Sequence, residues 1–295
     1  MRQLIFVHGR GQQDKNAAAL KEEWIAAWEK GLKANNLSNP LGDKDIRFPF
    51  YGDSLIQMVN GKSAAEAVDV IVKGPPPPSA TEDLMREMIA EIAAHEGVAE
   101  VDIRAELSAA VIAKGPANWG WVQGILTALD KVKPLSKALV SLVTADVAKY
   151  LTDGTLRKKI DDGVRSSVLP GREAVVVSHS LGTVVAYNVL MSRTGPFPDV
   201  GVPTFITLGS PLGVNAVKSS LSPHTFPPPV GKWFNAMDPD DVVSLYPLTK
   251  KHFNTGGDIE NHDKVQNWTE NQHGIVGYLD DRKVAKRIFD AVTAP

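Results

Sequence analysis

The stretch Val175-Val176-Val177-Ser178-His179-Ser180-Leu181-Gly182-Thr183-Val184-Val185 constrains this chain more than any other. Consecutive β-branched residues specify a buried strand, a turn of small residues follows, and an apolar helical pattern resumes directly after it. A serine hydroxyl is a poor nucleophile unless it is held out of a sheet, next to a base and beside donors for a developing oxyanion. Ser180 stands where a strand-to-helix turn would hold it, which makes it a candidate nucleophile. The competing reading is a helix cap, a common task for serine at such a turn.

The order of the remaining parts adds to the catalytic reading. Gln3-Leu4-Ile5-Phe6-Val7 is a short apolar strand that leads into His8-Gly9-Arg10-Gly11, where two glycines permit a sharp turn. Lys232 to Met237 forms another strand, and Asp238-Pro239-Asp240-Asp241-Val242-Val243 follows at its carboxyl end, where a buried acid would orient an imidazole. Asp and Pro also dominate turns for local reasons, and Asp240 is assigned to that task. His273 lies in Asn271-Gln272-His273-Gly274, before a final amphipathic helix with Val284, Ile288, Phe289 and Val292 on one face.

Ser178-His179-Ser180-Leu181-Gly182 resembles the G-x-S-x-G nucleophile elbow of the α/β-hydrolase family, with Ser178 in place of the usual glycine. The resemblance covers about residues 1–53 and 155–295. It implies a mostly parallel sheet flanked by helices, and a triad in the chain order Ser180, acid, His273. The stretch from Asn235 to Leu248 resembles the acid loop of lipase-like members, which favours Asp241, with Asp238 as the alternative acid. The same resemblance gives the oxyanion hole to the amides of Leu181 and Arg10, or Gly11 in place of Arg10, and puts Tyr278 soon after the histidine. His262 is the weaker alternative base. His8 and His179 are read as structural neighbours of the site.

Composition bounds the reading without locating it. At 295 residues and 43% hydrophobic content the chain can bury one large α/β domain with an insertion. The net charge of −2 and the lack of a long like-charge block speak against a nucleic-acid surface. The absence of cysteine removes thiol catalysis, disulfides and thiolate metal sites. His252, Asp258, His262 and Asp263 match no metal-ligand spacing and are read as a solvated loop, so no metal or organic cofactor is expected. No apolar run approaches membrane-spanning length and no leader precedes the first strand, which suits a cytoplasmic protein.

Between residues 54 and 154 the character changes. Ser63-Ala64-Ala65-Glu66 and Ser79-Ala80-Thr81-Glu82 fit capping boxes, the second just after Pro75-Pro76-Pro77-Pro78. Met85, Met88, Ile89 and Ile92 recur at helical spacing, as do Leu135, Leu139, Leu142, Val143 and Tyr150 after Pro134. The segment is expected to be a helical cap inserted in the sheet domain, with Trp119 and Trp121 either above the pocket or packed under a loop. The resemblance implies hydrolysis of a small-molecule carboxylic ester, and the helical cap suits an apolar acyl group; thioesters and amides suit the same triad. Two readings of other kinds are a non-catalytic binding or scaffold protein and a partner-docking face at Met85, Met88 and Ile92. Oligomeric state is left open.

Overall fold

The computed structural model describes residues 2–9, 16–51, 79–192 and 194–295. Among them, six strands form one all-parallel sheet: β1 (Gln3–Val7), β2 (Ile46–Arg47), β3 (Ala174–His179), β4 (Val202–Leu208), β5 (Val230–Ala236) and β6 (Ile259–His262). Their spatial order is β2-β1-β3-β4-β5-β6. A parallel sheet buries both faces, and successive side chains point to opposite ones. Leu4 and Phe6 accordingly enter one hydrophobic layer with Val175, Val177, Ile206 and Phe234, whereas Ile5 and Val7 enter the other with Val176, Phe205 and Trp233.

The first layer is covered by α1 (Ala17–Ala34) and by the C-terminal helices described below. Leu20, Trp24, Ala27, Trp28, Gly31 and Leu32 form the buried stripe of α1, which Asn16 caps by accepting a hydrogen bond from the amide of Ala19 at 2.8 Å. The second layer is covered by α2 (Ser79–His95), with α3 (Glu100–Ala105) and α4 (Ala109–Lys114) packed outside it against α5 (Trp119–Val132), and by α5, α6 (Ser136–Thr152), α7 (Gly154–Ser166), α8 (Leu181–Met191), α9 (Phe197–Val200) and α10 (Asn215–Ser220). The C-terminal helices α11 (Ile275–Leu279) and α12 (Arg282–Thr293) return to the face of α1.

From β1 the chain goes outward to β2, then crosses back to β3 on the other side of β1. Keeping one crossover hand through such a reversal puts the connecting helices on opposite faces. At such a reversal the carboxyl ends of the neighbouring strands are the usual ligand position of open parallel sheets. Gly9 follows β1 there and Ser180 follows β3.

Several expectations change. Of the stretch 46–53, expected from the sequence to be a strand or an extended loop, Ile46–Arg47 forms strand β2, and Pro49 cannot donate to a ladder beyond it. Ile259–His262, read as solvated loop, is edge strand β6, parallel to β5. Its alternation carries little apolar signal because Glu260 faces solvent and only one side of the strand is paired. In α6 the buried stripe is Val140, Val143, Val147, Ala148 and Tyr150, and Leu135 is left 49% exposed in a left-handed conformation (φ 70°) before the helix. The docking face at Met85, Met88 and Ile92 is ruled out: they are 2%, 1% and 2% exposed and belong to the layer that covers the sheet. Trp119 and Trp121 occupy the first turn of α5 and are buried in the same layer. Ser63–Glu66 and Pro75–Pro78 lie outside the described residues. No helix among the described residues is long and apolar enough to cross a membrane.

Candidate active site

At the end of β3 the chain turns so tightly that Ser180 takes φ 54°, ψ −130°, a region that costs a non-glycine residue about 1–3 kcal/mol. The surroundings over-determine that conformation. Ser180 N donates to Leu208 O at 3.1 Å, while the amide and hydroxyl of Thr183 both donate to Ser180 O, at 2.9 and 2.8 Å. Ser178 replaces the expected glycine without crowding, because its hydroxyl is turned toward β4 and donates to Ile206 O at 3.1 Å.

Glycine is required on the other side of the turn. A Cβ at Gly182 would lie 2.3 Å from Val7 O and 2.6 Å from His8 O, and one at Gly9 would lie 2.7 Å from Ser180 Cβ. The start of α8 therefore presses on the backbone leaving β1. Gly182→Ala is expected to destabilise the fold by about 3 kcal/mol or more, above the usual range for core overpacking because the opposing atoms are main chain. Urea denaturation checks this, and an unchanged midpoint would contradict the close approach.

Asp241, His273 and Ser180 come from three separate segments and meet in one line. His273 Nδ1 donates to Asp241 Oδ2 at 2.7 Å, and His273 Nε2 lies 2.9 Å from Ser180 Oγ. With the proton on Nδ1 and hydrogen-bonded to the carboxylate, Nε2 presents its lone pair to the serine hydroxyl. Asp241 is completely satisfied: Oδ2 also accepts from the Tyr278 hydroxyl at 2.6 Å, and Oδ1 accepts from Val243 N at 2.9 Å. Burial pushes the Asp241 carboxyl up, but the neighbouring His273 and these donors outweigh it and hold the group below the usual carboxylate range. Burial and the Asp241 carboxylate raise the Tyr278 hydroxyl far above its ordinary value, so it stays a donor.

The alternative acid Asp238 has another task. Its Oδ1 accepts from Asp240 N at 2.7 Å and its Oδ2 from Asn267 N, which binds the acid loop to the segment before His273. Burial raises its carboxyl, with Asp240 and Asp241 adding to the effect. His262, the alternative base, sits on β6 in register with Ala236 and approaches Asp281 Oδ1 at 3.4 Å. His252 stacks on Tyr246 at 4.5 Å. Among the described residues no group of three His, Asp or Glu side chains is placed to hold a metal ion.

The other two histidines near the site are buried. His8 Nδ1 donates to Gly9 O at 2.7 Å, its Nε2 accepts from Tyr51 N at 3.3 Å, and the Tyr51 hydroxyl donates to His8 O. Burial brings His8 down to about 4. His179 Nε2 donates to His273 O at 2.8 Å, and burial, with the adjacent His273, brings it down to about 3.

As the first residue of α8, Leu181 has an amide without an intrahelical partner, at the positive end of the helix dipole and next to Ser180. Arg10 and Gly11, the other candidate oxyanion donors, lie outside the described residues.

Sequence reasoning missed three supports. A Cβ at Gly209 (φ 53°) would lie 3.0 to 3.2 Å from Tyr278, Asp241 and His273, so the loop after β4 backs the acid and the base. Asn267 donates through Nδ2 to Gly274 O at 2.9 Å, and its Oδ1 accepts from Thr269 N and Oγ1. Gly277 makes room for that amide, which would meet a Cβ there at 2.1 Å. A glycine inside the helical pattern after His273 was the only local signal of such close packing.

An acceptor nitrogen on a serine hydroxyl, an acid on the far side of the ring and a helix-start amide beside the serine are the parts that nucleophilic acyl transfer requires. Set against models of known protein families and against curated protein sequences, the chain matches none of them.

Proposed function

We propose that this protein is a serine hydrolase of the α/β-hydrolase kind that cleaves carboxylic esters through an acyl-enzyme. The observation that carries this reading is the 2.9 Å contact of His273 Nε2 with Ser180 Oγ, with Asp241 at 2.7 Å on the other ring nitrogen. The strained backbone of Ser180 adds to it, because a mere helix cap needs no such conformation.

In the first half-reaction Ser180 Oγ attacks the ester carbonyl as its proton moves to His273 Nε2, and Asp241 stabilises the imidazolium. The Leu181 amide donates to the oxyanion, and the Arg10 or Gly11 amide is assigned the second donor position. Collapse of the tetrahedral species breaks the bond to the alcohol oxygen, which takes the proton from His273. Water then attacks the acyl-enzyme, gives its proton to His273, and the acid leaves as Ser180 recovers the proton. No metal or organic cofactor enters this scheme. The substrate assigned is a small ester with an apolar acyl group.

The test is hydrolysis of p-nitrophenyl butyrate. Saturable turnover by the wild type that disappears in Ser180→Ala supports the reading. Equal release by both proteins, or none by the wild type against a panel of short esters and thioesters, favours a non-catalytic binder.

A further inference from the structure

His179 is a buried imidazole to which the scheme above gives no chemical step. It ends β3, and its main chain passes directly into Ser180. Its Nε2–H reaches the carbonyl of His273 at 2.8 Å. Its ring centroid lies 4.7 Å from that of His273, with 36° between the planes, and Trp24 and Tyr278 hold it at centroid distances of 6.3 and 5.8 Å.

The segment it holds needs an anchor. Residues 272–274 precede α11 and belong to no helix or strand, and Gln272 takes φ 53°. From the other side, Asn267 Nδ2 and Thr269 Oγ1 fasten Gly274 through its carbonyl and its amide. Among the described residues, His179 alone ties the carbonyl of the base residue itself to the sheet. One strand end thus carries the nucleophile on its main chain and the anchor of the base on its side chain.

We propose that His179 is a positioning residue for the base: the neutral imidazole holds the main-chain carbonyl of His273 and limits rotation of its ring, so that Nε2 stays on Ser180 while Nδ1 stays on Asp241. The kinetic consequence rests on the hydrolase reading; the positional claim does not. Neutrality matters because His273 becomes a cation during turnover, and a second cation stacked on it would oppose that charge. The groups facing His179 agree with this: His273 and His8 disfavour a positive charge on it, and burial disfavours it more than Asp241 favours it. A displacement of the base by about 1 Å is enough to cost roughly 100-fold in rate.

The experiment compares the wild type with His179→Gln, which keeps an N–H donor, and with His179→Phe and His179→Met, which do not. Two readouts are taken: kcat and KM for p-nitrophenyl butyrate, and the downfield proton resonance of the His273 Nδ1–H in the resting protein. The expected result is a kcat about 10- to 100-fold lower in the donor-less variants with KM little changed, a broadened or shifted resonance, and both recovered in His179→Gln. Folded donor-less variants with kcat within threefold of wild type and an unmoved resonance would overturn the proposal. If the donor-less variants do not fold, His179→Gln decides: wild-type resonance and kcat support the role, and loss of both removes it. A wild type that hydrolyses no ester, yet whose resonance responds to the substitutions as described, sinks the hydrolase reading and leaves the positioning role standing.

Discussion

If the proposed hydrolase reading holds, Asp241→Asn is expected to lower kcat for ester hydrolysis by about 10⁴-fold, whereas Asp238→Asn is expected to leave it within about tenfold of wild type. The contrast follows from what each carboxylate touches. Asp241 Oδ2 accepts the hydrogen bond of His273 Nδ1–H, so an amide there turns a nitrogen donor toward the ring and favours the tautomer with the proton on Nε2. That tautomer presents a donor to Ser180 and has no lone pair to receive its proton, the origin of losses near 10⁴ in triads of this geometry. Asp238 touches neither His273 nor Ser180; it accepts the amides of Asp240 and Asn267. An asparagine retains one of those acceptors, and the loss is expected in stability, about 1–3 kcal/mol for a buried unsatisfied group. Steady-state kinetics and urea midpoints on the two variants separate the roles. Equal losses of kcat would mean that the base takes its orientation from the acid loop as a whole.

Lowering the pH from 7 to 5 is expected to remove about 4 kcal/mol of folding stability through two imidazoles, roughly 2 kcal/mol for each. Burial holds His8 at about 4 and His179 at about 3, both below the ordinary histidine value. The unfolded chain therefore binds these protons first. The contribution is fully present above about pH 6.5 and is lost as pH falls through that value toward 4 for His8 and 3 for His179. Asp161 and Asp238, whose carboxyls burial raises in the fold, act in the opposite direction at lower pH and partly offset the loss. Urea midpoints at pH 7, 6 and 5 measure the effect, and it should flatten in a His8→Gln, His179→Gln double variant. A wild-type midpoint constant across that range would contradict the neutral burial of both rings.

Local pattern made much of this legible. Val175, Val176 and Val177 are β-branched and fully bounded by small residues, so β3 and its turn could be placed from sequence, and α1 followed from the spacing of Leu20, Trp24 and Trp28. The all-parallel sheet matches the expected α/β class, for which the resemblance implied a mostly parallel sheet flanked by helices. Ser180, singled out by its turn, and Asp241 and His273, favoured by the resemblance to the α/β-hydrolase family, lie in hydrogen-bond contact. What stayed hidden was long-range. Edge strand β6 has no hydrophobic alternation, because Glu260 and His262 meet side chains rather than a core. In the sequence, Asp238 and Asp241 are separated only by the resemblance of the stretch from Asn235 to Leu248 to an acid loop; in the fold, the approach of residues 267 and 273 from the other side of that loop separates their tasks. The same holds for His179, whose partner is a main-chain carbonyl 94 positions away.

Whether Ser180 is an activated nucleophile is read by covalent labelling with a fluorophosphonate followed by intact mass and peptide mapping. One adduct per chain, on Ser180, absent from Ser180→Ala and formed far more slowly by His273→Ala, is the result predicted. No adduct on the folded wild type, or an adduct that survives in Ser180→Ala, would contradict it.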